Sequence, residues 1–388
     1  MAKKEKVLIL TDSPAICTGL ARAGRELGFR FQRSGYEVAY AGWFHPNLQH
    51  KLPFYIYPLL RGSPNEPAWV GTAIDDFKPD ILLCIGDLWY FSHLGKILEK
   101  TKHKPAERWL YLTLDGDPFW PEWVPVLQQF TRVYTFSHFA LEEISKVWPD
   151  FRGKVVWPGV DRRIFRPLPE KEISGNPLFK KFVVFVNSTN CGRKNMPASI
   201  EAFSLFAKDK DDVVLVLNTQ QTSNNGSDLP RLINSFHTSG KCLFEKSRTR
   251  TGGIDDTKLN LYYNLADCLL STTCGEGFGL FVLEAFSART PVLMTDCTTA
   301  AELLGNDRGQ RLKVASSLWG QYELRKFIVD IRDTWERLEG FYELRKMLGS
   351  KGRKEYTEPA FEFVKDLTWE KTFQKMIDWK KEEDWRTV

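Results

Sequence analysis

Apolar residues fall in short runs of strand length, and these runs alternate with segments of helical period. Residues 7–11 are one such run, and 19–33 then place Leu20, Ala23, Leu27 and Phe31 on one helical face. A strand at 36–41 and a short one at 54–57 follow. Helix-then-strand pairs come next at 69–77 and 81–85, 92–100 and 109–113, 122–130 and 133–136, and 137–147 and 155–156. Ser137 is placed to cap its helix. Apolar runs of this kind, each followed by an amphipathic helix, predict a parallel sheet covered on both faces. Residues 157–177 break the pattern with four prolines and no period, and read as a linker. The alternation restarts with strands at 182–186, 213–217, 242–244, 268–271 and 291–295, and helices at 196–207, 229–236, 258–265 and 280–288. Beyond Gly305 the chain is read as helical and charged, ending in an amphipathic segment at 368–379. The prediction is an α/β chain of two Rossmann-like, doubly wound domains facing a cleft, with ligands at the carboxyl ends of the strands.

Composition changes this picture little. A chain of 388 residues exceeds one compact core, and 43% hydrophobic with 27% charged residues is a globular balance. No apolar run approaches a membrane span, and the basic start leads into a short buried strand rather than a leader. Seven single cysteines without a CxxC pair point to reduced thiols and a cytoplasmic protein, at most peripheral at a membrane. Six histidines lack metal-ligand spacing, so no metal site is expected. The net charge of +5 permits an anionic partner without requiring one.

The most informative stretch is 274–304. Glu276 and Glu284 enclose seven residues that begin Gly277-Phe278-Gly279-Leu280, in a strand-to-helix turn. Uncapped N–H groups and the helix dipole favour an anion at such a place, with one acid before the turn and one about a turn into the helix. A glycine loop needed only for packing is the alternative. Other loops at predicted strand ends are 12–19, 114–121 and 187–195, and convergence of these loops on one cleft is the expectation from topology.

The string GEGFGLFVLEAFSARTPVL resembles the signature of glycosyltransferase family 4, retaining enzymes of the two-Rossmann GT-B fold. VVWPGVDRRIFRP at 155–167 is similar to that family's inter-domain segment, NSTNCGRKNMPASIEAF at 187–203 to its phosphate loop, and Thr18-Gly19 to its first glycine loop. The resemblance implies three parts: an acceptor-side domain at 1–177, a donor domain at 178–365, and a C-terminal helix at 366–388 packing back on the first domain. It implies a nucleotide-sugar donor, a UDP- or GDP-sugar, with no other cofactor. Glu284 would accept hydrogen bonds from the ribose, and Glu276 would face the sugar. Phe278, Gly279 and Leu280 would offer N–H groups beside Gly277, Gly19 would let the first loop approach the diphosphate, and Lys194 with Arg193 would supply cations. The family's arginine lies several residues before the lysine, where this chain has Thr189 or Asn190.

Relatives often carry histidine where this chain has Leu114-Asp115-Gly116-Asp117-Pro118, so Asp115 is the candidate acceptor-side group, as hydrogen-bond partner or base. The same string reads as a metal-binding DxD or as a simple turn. The nucleobase would lie near 245–253, where Arg248 and Arg250 stand. The resemblance implies a hydroxyl compound as acceptor: a glycan, a lipid-linked sugar or a small molecule. Arg22, Arg25, Arg30 and Arg33 on the first helix would offer a surface to DNA or to anionic lipid. A DNA glycosyltransferase acting on hydroxymethylated pyrimidines and a non-catalytic nucleotide-sugar binder are the alternative readings.

Overall fold

The computed structural model describes residues 4–46, 50–245 and 253–382. It divides into two compact units. The first comprises Met1–Leu114, Pro118–Gly159 and Trp369–Val388, and the second Asp115–Asp117 and Val160–Thr368.

The first unit is built on a seven-stranded parallel sheet: β1 (Lys6–Asp12), β2 (Glu37–Trp43), β3 (Tyr55–Leu59), β4 (Ile81–Asp87), β5 (Glu107–Thr113), β6 (Arg132–Thr135) and β7 (Lys154–Val155), in the order 3-2-1-4-5-6-7. Its central strands are continuous apolar runs because helices cover both faces; Val7, Leu8 and Ile9 have no exposed surface. The helix Gly19–Arg33 starts where Thr18 Oγ1 accepts the Ala21 N–H, so Thr18 is its cap and Gly19 its first residue. The helix Trp369–Lys381 packs on this sheet through Trp369, Phe373, Met376 and Trp379, all buried. Tyr134 donates from its hydroxyl to Met376 C=O (3.0 Å), and the rings of Phe31 and Phe373 meet edge-on at 5.0 Å. Each such large side chain contributes about 1.5–3 kcal/mol when fully buried.

Arg30 corrects the expected arginine face. It is 6% exposed and bonds both Glu26 (2.6 Å) and Glu370 (2.7 Å), so it fastens the helix Trp369–Lys381 to the first helix rather than facing solvent. Arg22 and Arg25 are half-buried, Arg25 donating to Pro14 C=O, and Arg33 is exposed. The expected helix at 122–130 is reduced to a single turn, Val124–Leu127, after a 3-10 turn at Pro121–Trp123. Pro125 lies near its start, where proline is tolerated.

The second unit carries a six-stranded parallel sheet: β8 (Phe182–Asn187), β9 (Val213–Asn218), β10 (Cys242–Phe244), β11 (Cys268–Ser271), β12 (Val292–Thr295) and β13 (Gln310–Leu312), in the order 10-9-8-11-12-13. Residues 160–177, read as linker of the first domain, belong here. Their backbone is pinned by side chains of the unit: Asn260 Oδ1 accepts the Arg166 N–H (3.1 Å), Asn264 Oδ1 the Leu168 N–H (2.7 Å), and Ser287 Oγ donates to Phe165 C=O (2.5 Å).

The stretch after Gly305 is the larger correction. Instead of continuous helix it forms β13 and then an antiparallel hairpin, β14 (Val314–Trp319) and β15 (Arg325–Val329), before the long helix Ile331–Tyr356. Among the described residues no helix is long and apolar enough to cross a membrane.

Candidate active site

The strand order of the second sheet reverses between β8 and β11, and the loops that leave their carboxyl ends are 188–195 and 272–279. This is where an open α/β sheet offers a crevice. The two loops interlock. Cys274 N–H donates to Arg193 C=O (2.8 Å), and Thr272 Oγ1 donates to Asn195 C=O (2.8 Å). Asn195 takes a left-handed conformation (φ 45°) to start the helix Met196–Phe206, and Gly279 (φ 103°) starts Leu280–Ser287. Gly279 gives that helix no side-chain cap, and its first turn has no acid. Gly277, Phe278 and Leu280 flank this turn, with Phe278 C=O held by Thr299 Oγ1 at 2.8 Å. Thr298 Oγ1 fixes Glu276 from both sides, accepting its N–H (3.0 Å) and donating to its C=O (2.8 Å).

Five charges meet here. Lys194 Nζ bonds Glu276 Oε2, which also lies 3.7 Å from Arg193 Nη1. Arg193 Nε is 2.8 Å from Asp115 Oδ2, and Lys326 Nζ is 2.8 Å from Asp115 Oδ1 and 3.1 Å from its C=O. A side chain at Gly275 would stand 2.0 Å from Asp115 C=O, so only glycine lets the 115–117 segment seat there. Asp117 bonds Arg325 (Nε–Oδ1 3.3 Å) rather than sharing a ligand position with Asp115. Thus Arg193, expected at a phosphate, is engaged by Asp115 and by Gly275 C=O (2.5 Å).

Burial pushes the Asp115 carboxyl up, but the Arg193 and Lys326 cations outweigh it and hold the group below its ordinary 3.8. A depressed folded pKa stabilises the fold above the unfolded value, and that stabilisation is lost as pH falls through the folded one. The urea midpoint of the wild-type chain should therefore exceed that of Asp115→Asn by a constant margin above about pH 5. The margin should begin to shrink as pH falls toward 3.8 and go on shrinking below it. A margin already shrinking near neutral pH would contradict this pairing.

Glu284, 5% exposed, ends a different chain of bonds. Tyr263 donates its hydroxyl proton to Glu284 Oε2 (2.8 Å), Asn187 Nδ2 donates to Tyr263 (2.9 Å), and Asn218 Nδ2 donates to Asn187 Oδ1 (2.8 Å). The chain links the helix to the ends of β8 and β9. Among the described residues, the buried Asn218 Oδ1 and Thr219 Oγ1 have no partner. Glu245 nearby is bonded by Lys258 (2.8 Å) and Tyr262. Arg248 and Arg250 lie outside the described residues.

The second unit thus brings together Asp115, Arg193, Lys194 and Glu276, while Gly19 lies in the first unit. Lys326, Tyr263 and Thr298 were not singled out by sequence reasoning. Lys326 sits on an exposed hairpin with no apolar period, Tyr263 looks like core, and Thr298 follows the signature without belonging to it. A well-formed cavity of about 640 Å³ lies elsewhere, against Asp267, Phe341, Arg345 and Arg353 before the amino ends of the strands. It touches none of the charges above.

Residues 169–321 match the family described as glycosyl transferases group 1. Over 209 residues, 52% of this chain, the sequence is 26% identical to a probable sucrose-phosphate synthase of Thermosipho melanesiensis, and it spans 45% of that protein's length. The fold matches a glycosyltransferase from Rickettsia africae (TM-score 0.72, 15% identity, 98% of each chain). It also matches a sucrose-phosphate synthase from Thermosynechococcus elongatus (TM-score 0.73, 13% identity, 97% and 98% of the chains). A third match is the Anabaena HepE protein solved with UDP and glucose (TM-score 0.72, 14% identity, 97% and 99%). Residues 169–321 thus resemble a glycosyltransferase group 1 domain, and the two Rossmann-like units have the GT-B type of fold.

Proposed function

We propose that the chain moves a sugar from a nucleotide-sugar donor to an acceptor hydroxyl, with retention at the sugar carbon and with protein cations at the diphosphate, in the manner of glycosyltransferase family 4. The observation that carries this reading is the charge cluster at the uncapped start of Leu280–Ser287. Three cations, Arg193, Lys194 and Lys326, stand against two carboxylates, Asp115 and Glu276, so one positive charge is in excess before any ligand arrives. An incoming diphosphate would draw Lys194 from Glu276, releasing that carboxylate toward the sugar while helix N–H groups take the phosphate oxygens. Glu284 would meet the ribose, its carboxylate oriented by Tyr263.

Asp115 fits a hydrogen-bond partner of the acceptor better than a base, because two cations lower its proton affinity. Retention would then proceed on one face of the sugar, with the leaving phosphate taking the acceptor's proton. Engagement of Asp115 and Asp117 by separate cations favours the acceptor-loop role over a metal-binding pair. With Arg30 buried, the DNA reading keeps only Arg22, Arg25 and Arg33 of its proposed surface.

The test is a panel of UDP- and GDP-sugars scored by thermal shift, then by turnover. One donor should raise the melting temperature, by a stabilisation of about 2.7 kcal/mol at 100 times its Kd. Glu284→Ala should lose most of the shift. Nuclear magnetic resonance of the product anomer checks retention, and activity unaffected by a chelator checks metal independence. Binding without turnover would leave a non-catalytic binder, and neither binding nor turnover would overturn the reading altogether.

A further inference from the structure

A two-stranded ribbon is marginal by itself, and the hairpin β14–β15 is held at both ends. At its root, Val329 is buried in the same core as Leu312 and Phe341, and Asp330 N–H donates to Lys313 C=O (2.8 Å). Its turn end, where Trp319 pairs with Arg325, is seated against the loops of the charge cluster. Arg325 N–H donates to Asp117 C=O (2.6 Å) and Phe327 N–H to Cys274 C=O (2.8 Å), so the outer edge of β15 grips both loops. Leu324, in the turn, is only 1% exposed. A side chain at Gly116 would stand 2.8 Å from Arg325 C=O and 3.0 Å from Leu324 Cβ, so the turn end sits this close only against glycine.

Lys326 lies between the two residues that make those main-chain bonds. Its ammonium meets Asp115 Oδ1 (2.8 Å) and Asp115 C=O (3.1 Å), and both side chains are only 12% exposed. Arg193 Nε, from another loop, takes Oδ2 (2.8 Å). With a cation on each oxygen the carboxylate has one orientation, and each oxygen still has room for a further hydrogen bond. The main-chain bonds and Leu324 already fix the turn end in place. What the ammonium adds is the direction of a single carboxylate.

We propose that Lys326 is a positioning residue for sugar transfer: carried by the turn end of the hairpin, it sets the Asp115 carboxylate toward the acceptor hydroxyl without itself touching either substrate. The proposal rests on the glycosyltransferase reading above.

The experiment uses the full chain and the donor found by thermal shift, and it follows sugar release to water or to p-nitrophenyl glycosides. Lys326→Gln should lower kcat about 10- to 100-fold, the usual effect of a misplaced reacting group, and by a larger factor than it weakens donor binding. Gly116→Ala removes no charge but displaces the turn end, so it should lower kcat about tenfold while the donor Kd stays at the wild-type value. The pH profile separates positioning from packing. Burial raises the Asp115 carboxyl, and Arg193, Lys326 and Lys194 together bring it below 3.8. With Lys326 gone, the acid limb of kcat should move to higher pH, and Lys326→Arg, which keeps the charge, should bring it back. An unmoved acid limb in Lys326→Gln overturns the proposal. So does a loss of donor affinity as large as the loss of kcat, which would make Lys326 a donor contact, or a wild-type kcat in Gly116→Ala. If the wild-type chain binds no donor or releases no sugar, the glycosyltransferase reading fails first, and the positioning role falls with it.

Discussion

Replacing Lys194 by methionine should lower kcat/KM for sugar transfer about 100- to 1000-fold, the usual effect of removing one preorganised group from developing charge. Its Nζ lies against Glu276 in a side chain only 13% exposed, where a charge acts through less water than at the surface. Methionine keeps the stem and its packing near Phe281 but removes the ammonium, and the local excess of one positive charge disappears. Glu276 would then meet the donor phosphate unopposed. Donor affinity should fall along with kcat, because in the proposed role the ammonium would act on bound diphosphate as well as on the leaving one. Single-turnover kinetics and donor titration read the two effects separately. A variant that folds normally, binds donor and turns over at the wild-type rate would show that Lys194 has no part in the reaction.

The largest effect on stability should come from Arg353. Its guanidinium donates to Arg289 C=O (2.8 Å), Asn264 C=O (3.0 Å) and Tyr263 C=O (3.1 Å). These carbonyls lie at the carboxyl ends of two helices, Asp256–Leu265 and Leu280–Ser287, so one cation caps both and meets both dipoles. Burial lowers its pKa, partly countered by Asp267, yet guanidinium remains charged throughout the working range. Arg353→Met leaves three carbonyls without that donor, and a loss of about 3 kcal/mol is expected from charged hydrogen bonds of this kind. Equilibrium urea unfolding checks it: the midpoint should fall while the slope stays constant. Arg353→Lys should recover only part, since an ammonium cannot match the planar fork. A midpoint within experimental scatter of wild type would mean that water replaces the guanidinium without loss.

The parallel strands were legible because each is buried on both sides and reads as an uninterrupted apolar run. Phe182 and Val183 through Val186 are all almost fully buried, and the same holds from Val7 to Leu10. The hairpin was illegible for the opposite reason. Ala315 through Trp319 are exposed, so no alternation marks a face, and the surrounding charges read as helix. Lys326 was lost with it. Arg30 was misplaced because its partner Glu370 lies 340 positions away, beyond any local pattern. Glycines fared better: Gly279 stood out within its motif, and its left-handed backbone gives the physical reason. Arg353 gave no signal at all, as one cation in a charged helix whose burial depends on the turns packed against it.

The division of the chain has a consequence for how it is made. The first unit takes residues 118–159 and 369–381 from either side of the second, while the second borrows Asp115–Asp117 from within the first. On the ribosome, the strands of the first sheet emerge early but their covering helix, Trp369–Lys381, follows the whole second unit. Until it arrives, the surface that Trp369, Phe373, Met376 and Trp379 will cover stays open to water, a state in which exposed apolar surface invites chaperones and aggregation. Completion of the nascent first unit therefore waits until residues 369–381 have been made, and a gene fragment cut between the two units would yield neither of them whole.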